Sequence, residues 1–204
     1  MSHAGHDHDR DRYRNPADLE EYLQRLEGKE RAEWQQPDQV VAALALRRAD
    51  TACEIGAGPG YFSLRLARAA GHVFAVEAHP RMIEILRERI AAAGARNVTP
   101  VLGLQEDPLL PRASCDLALI VNTFHHFPDG VDYLRRVQHA LKPGGRVVNI
   151  DFHDRELPVG PPPEQKLSRE AFLSIAADSG LRLDREHTFL PWQYFLVLKP
   201  AQGA

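Results

Sequence analysis

Glu54-Ile55-Gly56-Ala57-Gly58-Pro59-Gly60-Tyr61 is the stretch that decides the fold. Thr51 to Ile55 reads as a short apolar strand and helical periodicity follows Gly60, so the glycines lie where a strand turns into a helix. Glycine there lets the backbone approach a ligand, and the helix amino terminus offers unpaired N–H donors. Glu77 closes a second apolar run 21 residues after Gly56, where its carboxylate can accept hydrogen bonds from a ribose diol. A nucleotide-like cofactor is implied. A dinucleotide fingerprint needs its third glycine at position 61, but Tyr61 stands there and the glycine falls one residue earlier. A carboxylate at Glu54 is awkward beside a pyrophosphate and suits an ammonium group, so the expected adenosine ligand is cationic. No Gly-x-x-x-x-Gly-Lys-Ser/Thr occurs, which excludes a P-loop nucleotidase on motif grounds.

Outward from this turn, short apolar runs alternate with helical periodicities. Strands are expected at 51–55, 72–77, 98–102, 116–121 and 146–151, and helices at 60–70, 80–93 and 130–141, the second carrying Ile83, Leu86 and Ile90 on one face. Near-continuous apolar strands separated by helices require a parallel sheet covered on both faces. A last helix at 168–179 precedes two extended segments, 181–190 and 192–198, joined by Pro191; so short a link permits only an antiparallel pair. Upstream, 1–14 mixes His3, His6 and His8 with Asp and Arg and is expected to be a flexible tail. Asn15 and Pro16 suit a helix start, with Leu19, Tyr22, Leu23 and Leu26 on one face, and a second helix is expected near Pro37 and Asp38 with Val40, Val41 and Leu44 inward. The expected organisation is a tail at 1–14, an amino-terminal helical cap at 15–48 and a cofactor-binding domain at 49–204.

The 204 residues suit one domain, and 44% hydrophobic with 26% charged residues is a globular composition. Twenty-five Lys and Arg against 28 Asp and Glu give −3, which argues against a nucleic-acid partner or an anionic membrane surface. The amino terminus lacks an apolar signal region, and Val40 to Leu46 falls far short of the ~20 residues that span a bilayer. A soluble, cytoplasmic protein is expected. Cys53 and Cys115 lie beside apolar runs and read as buried free thiols, with Cys53 poorly placed as a nucleophile.

The chain resembles the class I S-adenosylmethionine-dependent methyltransferases, in their type 11 or quinone-biosynthesis-like branch, from about 50 to 198. The resemblance is carried by Glu54 to Gly60, Val76-Glu77-Ala78 with Met82, Asp116 to Ile120, Asn122-Thr123-Phe124-His125-His126-Phe127, and Leu141-Lys142-Pro143-Gly144-Gly145. It implies a Rossmann-like three-layer αβα sandwich whose seven-stranded, mostly parallel sheet has the order 3-2-1-4-5-7-6 and an antiparallel last strand. By the same resemblance, Gly56, Gly58 and Gly60 belong to the cofactor-binding turn, with Gly56 and Gly58 at the methionine moiety. Glu54 holds its amino group, Glu77 takes the ribose hydroxyls, Ala78 and Met82 flank the adenine, and Asn122 lies beside the cofactor. The family usually has an acid after strand three to accept from the adenine amino group; here Leu104-Gln105 follow Gly103, and Gln105 can substitute through its carbonyl oxygen, or Glu106 and Asp107 if the loop is shifted. The implied cofactor is S-adenosylmethionine, the product S-adenosylhomocysteine, and the partner a small-molecule methyl acceptor.

Methyl transfer from a sulfonium is an in-line displacement, so alignment and water exclusion dominate. A base is needed only where the acceptor loses a proton. His125, His126, Asp151, His153 and Asp154 follow neighbouring strands at the ligand-binding end of such a sheet, and His125 with Asp151 is the preferred catalytic assignment, His126 reading as structural. No His-x-x-x-His or Cys-x-x-Cys spacing occurs, so no metal site is expected. The Trp34-Gln35-Gln36-Pro37 turn reads as part of a lid and the Pro158–Pro163 connector as a rigid wall or surface spacer, whereas Trp192, Tyr194 and Phe195 read as core or sheet-face residues. Two other readings share parts of the pattern. A nicotinamide-dependent oxidoreductase fails at Tyr61, and a non-catalytic module that binds the cofactor, or metal through its tail histidines, is kept open by Leu104 in the adenine loop.

Overall fold

Side-chain caps set where three of the helices begin. His79 Nδ1 accepts from the N–H groups of Arg81 and Met82, Asp129 from Asp132 N at 2.9 Å, and Ser168 Oγ from Ala171 N at 3.0 Å. The computed structural model describes residues 23, 24, 26 and 28–201. Its elements run α1 (Lys29–Gln35), α2 (Pro37–Ala43), β1 (Thr51–Ile55), α3 (Ser63–Ala69), β2 (His72–Glu77), α4 (Pro80–Ala92), β3 (Val98–Leu102) and β4 (Cys115–Val121), then α5 (Gly130–Ala140), β5 (Leu141–Phe152), α6 (Arg169–Asp178), β6 (Leu181–His187) and β7 (Gln193–Pro200). The expected tail and most of the expected first helix, including Asn15 to Tyr22, lie outside the described residues.

The seven strands order as β3-β2-β1-β4-β5-β7-β6. β1 pairs in parallel with β2 and β4, and β7 runs antiparallel to both β5 and β6. Side chains alternate across the sheet as the pleat demands. Leu117 and Leu119 face α2, α3 and α4 through Val40, Leu66 and Leu86, whereas Ala118 and Ile120 face α5 and α6 through Leu134 and Phe172. These are the three expected layers. No helix among the described residues is long and apolar enough to cross a membrane.

Three expectations differ in detail. β5 begins at Leu141, not at 146, because the chain leaves α5 directly into a strand: Leu141 pairs with Cys115 before a register shift, and a Cβ on Gly145 would stand 2.9 Å from Lys142 O. The link between β6 and β7 spans 188–192 and is longer than Pro191 alone, since a proline without an N–H cannot extend the ladder. In the stretch expected to turn at 34–37, only Gln36 turns, with φ of 45°, and Trp34 and Gln35 are helical. Cys53 and Cys115 are buried free thiols, and contact with Cys115 together with burial pushes the Cys53 thiol well up, consistent with an inert core residue.

Candidate active site

Where β1 ends, Gly56 takes a φ of +73°, and a Cβ there would lie 2.4 Å from Thr123 in the loop after β4. Only glycine lets the two loops pass this closely. Beyond them opens a cavity of about 410 Å³ at the carboxyl ends of β1, β2 and β4, the end at which α/β sheets bind ligands. Of the residues expected at the cofactor, Glu54, Gly56, Gly58, Glu77, Ala78, Met82, Leu104, Gln105 and Asn122 line it. Gly60 does not: its Cβ would meet Leu86 at 2.9 Å, so this glycine serves the packing of the turn onto α4.

The two acids of the wall are held differently. Glu77 accepts from Gly58 N through Oε2 and from His79 N through Oε1, both at 2.9 Å, which fixes the carboxylate and leaves further lone pairs for ligand hydroxyls. Glu54 is buried and accepts from Ser63 Oγ at the start of α3. Burial pushes its carboxyl up to about 8, against the opposing effects of the Ser63 hydrogen bond and the Arg31 charge. A ligand cation beside Glu54 would draw that proton off.

Arg31 was not singled out by sequence reasoning. It reaches the cavity from α1, donating to Leu26 O at 2.6 Å, and its guanidinium lies 4.0 Å over the Tyr61 ring, which Arg65 shares at 4.1 Å. The Tyr61 hydroxyl is buried without a hydrogen-bond partner among the described residues. On the far side, Met82 is buried while Leu104 is half exposed. Asp107 is committed to its own turn, accepting from Leu109 N and pairing with Arg136 at 2.8 Å, and neither it nor Glu106 lines the cavity. Thr123, Phe127 and Tyr133 complete the wall, the last two stacked with ring centroids 3.8 Å apart.

His125 and Asp151, 26 residues apart in the chain, meet with Nδ1 2.8 Å from one carboxylate oxygen. The two side chains are only 6% and 1% exposed, and Asp151 also accepts from Phe152 N. His125 does not itself line the cavity. His126, expected to be structural, does, with its ring 4.1 Å from that of His125. His153 and Asp154 are absent from the wall as well. Among the described residues no three His, Cys, Asp or Glu side chains form a metal-ligand set, and the tail histidines lie outside those residues.

The reversed last strand and the glycine turn at the sheet centre define a Rossmann-like methyltransferase fold of class I. Residues 52–145 match the family described as a methyltransferase domain. The chain is 35% identical over 130 residues to a protein-L-isoaspartate O-methyltransferase of Methylorubrum extorquens, covering 64% of this chain and 50% of that protein. To the 27-O-demethylrifamycin SV methyltransferase of Amycolatopsis mediterranei it is 29% identical over 143 residues, 69% of this chain and 52% of that one. The chain thus spans about half the length of these curated relatives. A solved S-adenosylmethionine-dependent methyltransferase from Aquifex aeolicus matches with a TM-score of 0.83 at 22% identity, covering 87% of this chain and 96% of that chain. Residues 52–145 thus match a methyltransferase domain, and the fold is that of a solved S-adenosylmethionine-dependent methyltransferase. This chain's cavity fits that cofactor: a buried carboxyl can meet a cation, a fixed carboxylate stands where a diol can bind, and the apolar side chains of Met82 and Leu104 line the same space.

Proposed function

We propose that the protein is a methyltransferase that uses S-adenosylmethionine to methylate a small molecule at an oxygen or other atom that must lose a proton. The observation that carries this reading is the cavity wall in which Glu54, Glu77 and Met82 offer partners for an ammonium, a ribose diol and a purine in one continuous surface. When bound, S-adenosylmethionine supplies an electrophilic methyl group on a sulfonium. The chain's own residues then bind, orient and exclude water, since an in-line displacement gains chiefly from alignment. Glu77 holds the hydroxyls and Glu54 the ammonium, while Ala78, Met82 and Leu104 flank the base and Gln105 offers an amide at its edge.

Asp151 orients His125. With the Nδ1 proton turned to the carboxylate, Nε2 carries the free lone pair; because His125 stands beside His126 and outside the cofactor cavity, the acceptor must bring its proton to Nε2 from beside that cavity, not from within it. The names of two of the curated relatives, those from Methylorubrum extorquens and Amycolatopsis mediterranei, specify O-methyl chemistry, which is the case in which such a base is useful. The net charge of −3 favours a small molecule over a nucleic acid as acceptor. Residues 28–48 act as the cap, α1 contributing Arg31 to the cavity wall.

Calorimetric titration with S-adenosylmethionine, S-adenosylhomocysteine and NADH tests the reading. Saturable binding of the two sulfur ligands and none of NADH is expected. Binding of NADH alone would replace the reading with an oxidoreductase, and tight binding without transfer to any acceptor would replace it with a binding module.

A further inference from the structure

Three carboxamides, Gln35, Gln193 and Asn122, form a line from α1 to the cavity. Arg31 Nε donates to Gln35 Oε1 at 2.5 Å, Gln35 Nε2 to Gln193 Oε1 at 3.3 Å, and Gln193 Nε2 to Asn122 Oδ1 at 2.6 Å. Gln35 is 0% and Gln193 1% exposed, so each amide is costly to bury unless it is bonded. The direction of the line is set at one end. A guanidinium has donors only, so Gln35 turns its oxygen to Arg31 and is left with its NH2 to donate; the same step repeats at Gln193 and ends on the Asn122 oxygen.

Asn122 is held at the end of β4 with a φ of 52° and its N–H on Ile150 O, and it lines the cavity. With its oxygen taken by Gln193, the end of its carboxamide left for a ligand is the Nδ2 donor. We infer that Arg31, Gln35, Gln193 and Asn122 form a polarised relay through which α1 presents Asn122 as a hydrogen-bond donor to a carboxylate or hydroxyl oxygen of the bound ligand. This rests on the cofactor reading above. Gln35 and Gln193 are positioning residues that line no part of the cavity, and their effect on the ligand passes through Asn122.

The substitution Gln35→Glu tests the direction of the relay without emptying it. The new side chain has the same shape and still accepts from Arg31, but a carboxylate cannot donate. Gln193 then turns its NH2 to that carboxylate and its oxygen to Asn122, whose Nδ2 is drawn inward and whose Oδ1 faces the cavity. Every bond survives, so the ligand-free melting temperature is expected to hold within about 2 °C. At pH 7 the variant is expected to bind S-adenosylhomocysteine about tenfold more weakly, the worth of one hydrogen bond. Asn122→Ala should weaken binding similarly, and the double variant should be no weaker than Asn122→Ala alone, since residues acting through one contact are not additive. Equal losses from Gln35→Glu in both backgrounds, or no loss at all, would overturn the relay. A ligand-free readout keeps the two readings apart: by NMR at pH 7, the Asn122 side-chain NH2 should exchange quickly in the parent protein and slowly in Gln35→Glu. Unchanged exchange overturns the relay on its own, whereas a parent protein that binds no S-adenosylhomocysteine overturns the methyltransferase reading instead.

Discussion

Glu54→Gln should stabilise the ligand-free protein at neutral pH and remove its hold on the cofactor. The carboxyl moves from an ordinary value of 4.5 in the unfolded chain to about 8 in the fold because burial disfavours its charge. Between those values the folded state keeps a proton that the unfolded state has lost, so stability falls as pH rises through this window and the penalty is complete above about pH 8. At about 1.4 kcal/mol per pH unit the ceiling is about 3 kcal/mol at pH 7 and about 5 kcal/mol above pH 8. Glutamine has the same shape, still accepts from Ser63 and carries no charge to desolvate. A gain near that ceiling would raise the melting temperature at pH 7 by roughly 6–12 °C in a domain of this size. The cost falls on binding. A group with its value near 8 is about nine-tenths protonated at pH 7, so an ammonium seated on Glu54 should expel about 0.9 proton, read by titrating S-adenosylhomocysteine in two buffers of different ionisation enthalpy. The variant should release none and bind at least tenfold more weakly. Unchanged melting together with undiminished affinity would refute both the buried state of Glu54 and its role toward the amino group.

Glu77→Ala removes a carboxylate that two backbone N–H groups fix at the cavity, and S-adenosylhomocysteine should bind roughly 30-fold or more weakly with the circular dichroism spectrum intact; equal affinity would take Glu77 out of the ribose role. Asp151→Asn leaves His125 without its charged partner, so kcat should fall about 10²-fold or more while cofactor affinity holds, and a rate within twofold of the parent would make the pair structural. Gly56→Ala places a Cβ 2.4 Å from Thr123 on a backbone of φ +73°, which should cost about 1–3 kcal/mol in urea unfolding. Adding Thr123→Gly should recover only the part due to contact, and full recovery would show that the backbone carries no strain.

Much of the fold is settled by residues that are close neighbours in the chain. The alternation of apolar runs with helices such as that of Ile83, Leu86 and Ile90 follows from the periods of helix and strand, and it implied the sheet. The glycine turn from Gly56, the acid at Glu77 and the antiparallel end of the sheet are equally local, because turn geometry and link length act within a few residues. Where β5 begins was less legible, since Leu141 is drawn into a strand by pairing with Cys115 and by nothing in its own neighbourhood.

Which side chains share a space depends on the packing of elements distant in the chain. Gln35 and Gln193 stand 158 residues apart and meet because α1 docks beside the first residue of β7. Arg31 reaches the cavity by the same docking, and nothing in the local pattern of 29–35 marks it. The pairing of His125 with Asp151, the place of His126 rather than His125 at the wall, and the assignment of Gly60 to packing against Leu86 have the same origin. Periodicity tells which face of an element is buried, but hydrogen bonds form over about 3 Å, and which donor meets which acceptor depends on how whole elements pack.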